Sequence, residues 1–131
     1  MLPTAFRTLL LAVLMSLSAL AQSVPVRQFL LRIEPVRKDF TLQNMNEDER
    51  RIAGEHVAYL QSLMAEEKLT FAGQVLDPKG LWGIIIVNAP DQEAANALLN
   101  GDPTIKAKMF RGEAIPFRTV FARAAPASPK Q

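Results

Sequence analysis

Apolar and polar positions alternate from Val26 to Glu34. Phe29, Leu31 and Ile33 fall on one side and Gln28, Arg32 and Glu34 on the other, with Leu30 the exception. A period of two over so short a run predicts a strand. Pro35 to Met45 has no such period and is read as a polar connection. The period then becomes helical. Ile52, His56, Leu60, Leu63 and Met64 form one stripe with Tyr59 beside it, while Glu55, Glu66 and Glu67 point the other way. Asn46-Glu47-Asp48-Glu49 supplies the start. Asn46 can cap the free backbone N–H groups, Glu49 stands at the reciprocal capping-box position, and the acids suit the positive end of the helix dipole. This helix is predicted to run to about Lys68, a cation placed to suit its C-terminus.

Thr70 to Leu76 is a second strand, and Asp77-Pro78-Lys79-Gly80 is a turn leading into a third, Leu81 to Val87. The third strand differs in kind. Leu81, Trp82, Ile84, Ile85, Ile86 and Val87 leave hardly any polar position, so both of its faces need a cover. Pro90 and Asp91 open a second helix through Glu93, Ala94, Ala97, Leu98 and Leu99. Gly101-Asp102-Pro103 resets the chain into a helical turn, Thr104 to Lys108. A fourth strand is predicted from about Arg111 to Arg123, with Ile115, Phe117, Thr119 and Phe121 on one face. Pro116 has no N–H to donate, which places it at a sheet edge or a bulge.

The order is β-α-β-β-α-β, the split βαβ arrangement of ferredoxin-like α+β folds. Two helices cover one face of a four-stranded antiparallel sheet. Nothing in the remaining chain can form another layer, so the two-sided third strand predicts a second copy against the open face, a homodimer. The alternative is an exposed patch around Trp82, which monomers rarely carry.

The N-terminus has a different character. Arg7 precedes an apolar run, Leu9 to Ala19, which ends in the small-x-small sequence Ala19-Leu20-Ala21. This is the layout of a secretory signal peptide over residues 1–21. The run is shorter than the roughly 20 apolar residues of a membrane span. Cleavage there, which is expected over the alternative of an uncleaved N-terminal anchor, leaves a periplasmic or secreted chain with no membrane span, and no cysteine follows the apolar run to carry a lipid. The mature domain is expected over 22–123. The Ala-, Pro- and Ser-rich stretch 124–131 is expected to be a disordered tail.

Charge narrows the function classes. The whole chain has 15 Lys and Arg against 13 Asp and Glu, a net charge of +2. Loss of Arg7 with the leader reduces that to +1. Such a balance gives no electrostatic footprint for nucleic acid. Arg27, Arg32, Arg37 and Lys38 are interleaved with acids or apolar residues and read as a solvated face. The chain has no cysteine, which excludes disulfides, thiolate nucleophiles and zinc–thiolate sites. No phosphate-binding glycine loop, no nucleophile elbow and no ligand spacing for a catalytic metal appears, so no cofactor is expected.

His56 is the only histidine. It is therefore the one side chain whose ordinary titration falls near neutral pH, and it sits on an apolar helix stripe. It is either a satisfied core residue or the working end of a site, because a buried imidazole needs partners for its ring nitrogens. Two aspartates compete to be the carboxylate partner. Asp77 opens the hairpin turn, where it ordinarily bonds turn amides. Asp102 precedes Pro103, the pattern of an N-cap followed by proline at the first helical position. The residues alone leave both open.

Several segments together resemble the YCII-related (YciI-like) family. They are Glu49-Arg50-Arg51 through His56-Val57-Ala58-Tyr59-Leu60, Leu69-Thr70-Phe71-Ala72-Gly73, Ala97-Leu98-Leu99-Asn100-Gly101-Asp102-Pro103, and Ile115-Pro116-Phe117-Arg118. The resemblance covers most of residues 27–123 and implies a dimeric α+β barrel. It implies that the family's His–Asp pair maps onto His56 and Asp102, which selects Asp102 over Asp77. A dehydrochlorinating lyase of chlorinated hydroquinones is of the same superfamily. The leader departs from the usual cytoplasmic members, so their substrates need not carry over.

Two functions follow as expectations. The first is a cofactor-independent lyase or isomerase, with His56 as general acid or base on a small organic molecule and Asp102 orienting its ring. The second is a small-ligand-binding or interaction module that uses the same cleft without chemistry.

Overall fold

The computed structural model describes residues 25–123. The expected leader at 1–21 and tail at 124–131 lie outside the described residues. The elements in chain order are β1 (Arg27–Pro35), α1 (Glu47–Ala65), β2 (Leu69–Asp77), β3 (Gly80–Ala89), α2 (Gln92–Gly101), a one-turn α3 (Pro103–Lys106) and β4 (Phe110–Phe117). The strands form one sheet in the order β2-β3-β1-β4, with every pairing antiparallel. This is the ferredoxin-like α+β topology expected from the periodicity, with α3 inserted before the last strand.

The register explains the core. β1 and β3 are the two central strands, and opposite residues share a face. Phe29 faces Val87 and Leu31 faces Ile85. All four are buried on the helix side together with Leu63 of α1 and Ala95 and Leu99 of α2. Stepping by one residue along each strand reaches the opposite face. There Leu30 pairs with Ile86 and Ile115, Gln28 with Phe117, and Phe71 with Ile86. No described element covers this second face, and Phe71, Ile115 and Phe117 are exposed on it. The two-sided apolar pattern of β3 thus arises from a central strand with an apolar row on each side. Pro116 lies on β4, an edge strand, as its missing N–H requires.

α1 begins as predicted. The Asn46 side chain accepts from the Glu49 N–H (2.8 Å), and the Glu49 carboxylate accepts from the Asn46 N–H (2.9 Å). It ends three residues before Lys68. Glu67 has a left-handed backbone (φ 59°), the Glu67 N–H bonds Met64 O, and the Lys68 N–H bonds Leu63 O (2.8 Å). That is a Schellman termination with glutamate in the position usually held by glycine. α3 ends in the same way: Lys108 has φ 56°, its N–H bonds Ile105 O, and the Met109 N–H bonds Thr104 O. Without glycine as a marker, neither stop was visible in the sequence.

Three other expectations are corrected. β4 ends at Phe117 instead of running to Arg123. Thr119 leaves the strand and donates to the Gln28 side chain (N–H 3.1 Å, hydroxyl 2.8 Å), and Phe121 is 94% exposed. The connection after β1 is not simply polar: Phe40 is buried, edge-on to Phe110 at 5.3 Å. Nor is its cation merely solvated. The Arg37 guanidinium grips both oxygens of the capping-box carboxylate Glu49 (3.1 and 2.9 Å) and lies over the Phe40 ring. Arg32 likewise stacks on Trp82, 5.0 Å from the ring centre.

Candidate functional site

α1 carries His56 towards the junction of α2 and α3. Asp102 stands at that junction and closes both helices. Its backbone N–H bonds Leu99 O to finish α2, and its side chain caps α3 ahead of Pro103. One carboxylate oxygen, Oδ1, accepts from the Thr104 N–H (2.9 Å) and the Thr104 hydroxyl (2.8 Å). His56 Nδ1 lies 3.0 Å from Oδ1 and 2.8 Å from Oδ2 of the same residue. The two sequence-predicted residues therefore meet. Asp77 does something else: its Oδ1 accepts from the Lys79 N–H (2.8 Å) to close the hairpin turn.

The Asp102 side chain is almost sealed at 3% exposure, against 20% for His56. Burial works against its charge. His56 and the two Thr104 donors outweigh that cost and hold the Asp102 carboxyl below its ordinary value. An ionised carboxylate can only accept, so Nδ1 must donate. In the neutral ring the lone pair then belongs to Nε2, on the other side of the imidazole. No protein group among the described residues bonds Nε2.

Tyr59, one turn along α1 from His56, braces the same junction. Its hydroxyl donates to Leu98 O (2.8 Å), and its phenol is held above its ordinary value by burial and by the Asp102 charge. Gly101 permits this approach, because a Cβ there would stand 2.6 Å from the Tyr59 hydroxyl.

The His56 ring forms part of the wall of a cavity of about 430 Å³. α1 contributes Val57, Leu60 and Met64, the β2–β3 side contributes Ala72, Gln74 and Leu81, and the loop after β1 contributes Leu42 and Met45. Met64, expected in the core, instead faces this space and is half exposed. No lysine, arginine, aspartate or glutamate lines the cavity. Besides His56 its polar side chains are Gln61, Gln74 and Thr104. Among the described residues no three potential metal ligands gather, and no helix is long and apolar enough to cross a membrane.

Sequence reasoning missed Thr104, the loop residues Leu42 and Met45, and the Tyr59 brace. Only Thr104 had a local signal, since it lies two residues after an N-cap aspartate, where a backbone donor is expected.

Fold and site together define a small ferredoxin-like α+β domain with a histidine–aspartate pair beside an apolar cavity. The chain belongs to the YCII-related domain family, whose model matches residues 29–117. The match includes both His56 and Asp102 and ends with β4. No curated protein matches the chain.

Proposed function

We propose that this is an exported, dimeric YCII-like protein that performs cofactor-independent proton abstraction on a small organic substrate, as a lyase or isomerase. The observation that carries the reading is the bond from His56 Nδ1 to both oxygens of Asp102, which leaves Nε2 as the basic atom of a ring at a cavity wall. The cavity falls in the roughly 300–1,000 Å³ range of small-molecule sites.

In this reading Nε2 takes a proton from a substrate carbon. The electron pair left behind forms a carbon–carbon double bond. In a lyase a leaving group on the neighbouring carbon departs with its bonding electrons; in an isomerase a neighbouring double bond opens instead, and its π pair takes the proton back from the imidazolium at the far carbon. Asp102 keeps the ring in the productive tautomer and stabilises the imidazolium while it exists. Thr104 fixes Asp102.

The dimer belongs to the same proposal. The exposed row of Phe71, Ile115 and Phe117 next to Leu30 supports pairing of two sheets face to face. Export is supported by the leader pattern at 1–21.

The base can be tested without the natural substrate. 5-Nitrobenzisoxazole is small, uncharged and apolar, and opens to a coloured phenolate when a base removes its ring proton. The purified protein should accelerate this opening, and His56→Ala should lower the rate at least about 100-fold, the usual scale of a positioned base. Equal rates for the two proteins would overturn the reading.

A binding module is the second reading, favoured by the scarcity of polar groups in the cavity beyond His56. It predicts ligand uptake that survives His56→Ala with no turnover in either protein.

A further inference from the structure

The apolar cavity has a charged neighbour. A second cavity of about 440 Å³ lies at the end of the sheet, and Phe40, Leu81 and Trp82 line both. The two therefore share part of their walls at that end of the sheet. Their chemistry is opposite. The first has no lysine, arginine, aspartate or glutamate in its wall, whereas the second is lined by Arg32, Arg37, Lys38, Lys79 and Arg111 against two carboxylates, Glu34 and Asp77.

Not all of these cations are available. Arg37 is held by Glu49 and Asp39, and Arg111 by Glu34. Arg32 lies over Trp82 and near Glu34 (3.6 Å). Lys38 and Lys79 are exposed, and neither ammonium has a carboxylate partner among the described residues. Two unpaired ammonium groups thus line the second cavity together with Phe40, Leu81 and Trp82, which also line the apolar one.

We infer that the ligand of this site is an amphipathic anion, with its apolar body in the His56 cavity and its negative end held in the second cavity by Lys38 and Lys79. This rests on the cavity being a ligand site, as proposed above, and adds the charge and polarity of what it takes. A charge inside the His56 cavity would have no partner there, which fits a ligand that keeps its charge outside. Exposed ammonium groups interact with an anion modestly and in a salt-dependent way, so they tune selectivity more than they supply affinity.

Trp82 is the only tryptophan of the chain and lines both cavities, so its fluorescence reports occupancy. The test titrates the full chain with decanoate and with 1-decanol, which share a tail and differ in charge. Decanoate should bind about tenfold more tightly at low salt, and the difference should shrink in 0.5 M NaCl. In the double variant Lys38→Gln/Lys79→Gln the preference should fall below about twofold, with 1-decanol affinity unchanged. Both lysines are exposed, so the variant keeps the fold, and an unchanged urea midpoint verifies this. Equal binding of the two probes to the native chain would overturn the inference and leave the cavity reading standing. A decanoate preference that persists in the double variant would remove the lysines from the site. Failure of both probes to bind would defeat the cavity reading itself.

Discussion

The Nδ1 atom of His56 stands within 3.0 Å of both carboxylate oxygens of Asp102, across 46 residues of chain. The ring is thereby fixed in one tautomer by an acceptor that is itself fixed by Thr104. Replacing the acceptor tests this arrangement. Asp102→Asn keeps the size and one oxygen for Thr104 but can present N–H to Nδ1. The ring then has reason to turn or to exchange tautomers. Proton-abstraction rates should fall about 100-fold or more, with ligand affinity changed far less. A loss confined to affinity would show that Asp102 does not act through His56.

Asp102→Ala should cost more stability than Asp102→Asn. It leaves the Nδ1–H, the Thr104 N–H and the Thr104 hydroxyl without their buried acceptor, a loss of about 3 kcal/mol. Urea midpoints of the two variants check the order.

Acid should unfold the protein partly through this residue. The folded Asp102 carboxyl sits below its unfolded value of about 4, so the folded state binds fewer protons in that range. Its contribution is full above pH 4 and is lost as pH falls through the folded value. Glu49, held low by Arg37 and the Asn46 N–H, acts in the same direction. Unfolding free energy measured from pH 6 down to pH 2 should fall less steeply in Asp102→Asn than in the native chain.

Glu67 and Lys108 occupy left-handed positions at φ 59° and 56°, where a side chain is strained and glycine is not. Glu67→Gly and Lys108→Gly should each raise stability, by about 0.5 kcal/mol after the extra chain entropy of glycine is deducted. Glu67→Val should lower it. The three urea curves compared with the native one suffice.

Gly101 and Tyr59 should prove coupled. Gly101→Ala brings a methyl within 2.6 Å of the Tyr59 hydroxyl and should destabilise by about 1–3 kcal/mol. Tyr59→Phe removes that oxygen along with its bond to Leu98, so the double variant should be more stable than the sum of the two single losses. Strict additivity in the double-mutant cycle would contradict the close contact.

The open sheet face predicts the mass in solution. Light scattering should give twice the chain mass at micromolar concentration, and Phe117→Lys should shift it to that of one chain. A monomeric native protein would remove the dimer from the proposal.

The sequence by itself determined what depends on neighbours along the chain. The alternation of Phe29, Leu31 and Ile33 set β1, the Asn46–Glu49 box set the start of α1, and Asp77 to Gly80 set the hairpin. The Asp102-Pro103 step marked α3. Each is a local signal, carried by hydrogen bonds and periodicities within about four residues. The same local logic failed where the signal was absent. Two helices ended without glycine, and β4 stopped at Phe117 while the apolar alternation continued to Phe121. Phe40, in a loop with no period, went inside because Phe110 and Arg37 were there to receive it.

Only the tertiary structure decided which aspartate meets His56. Asp77 and Asp102 each had a sufficient local task, and nothing in their own neighbourhoods told which one reaches His56. A family likeness pointed to Asp102. The packing of α1 against the α2–α3 junction made the contact at 2.8 Å, and it placed an apolar cavity on the same ring. A contact between residues 46 positions apart follows from where whole elements pack, which the pattern at either residue does not encode.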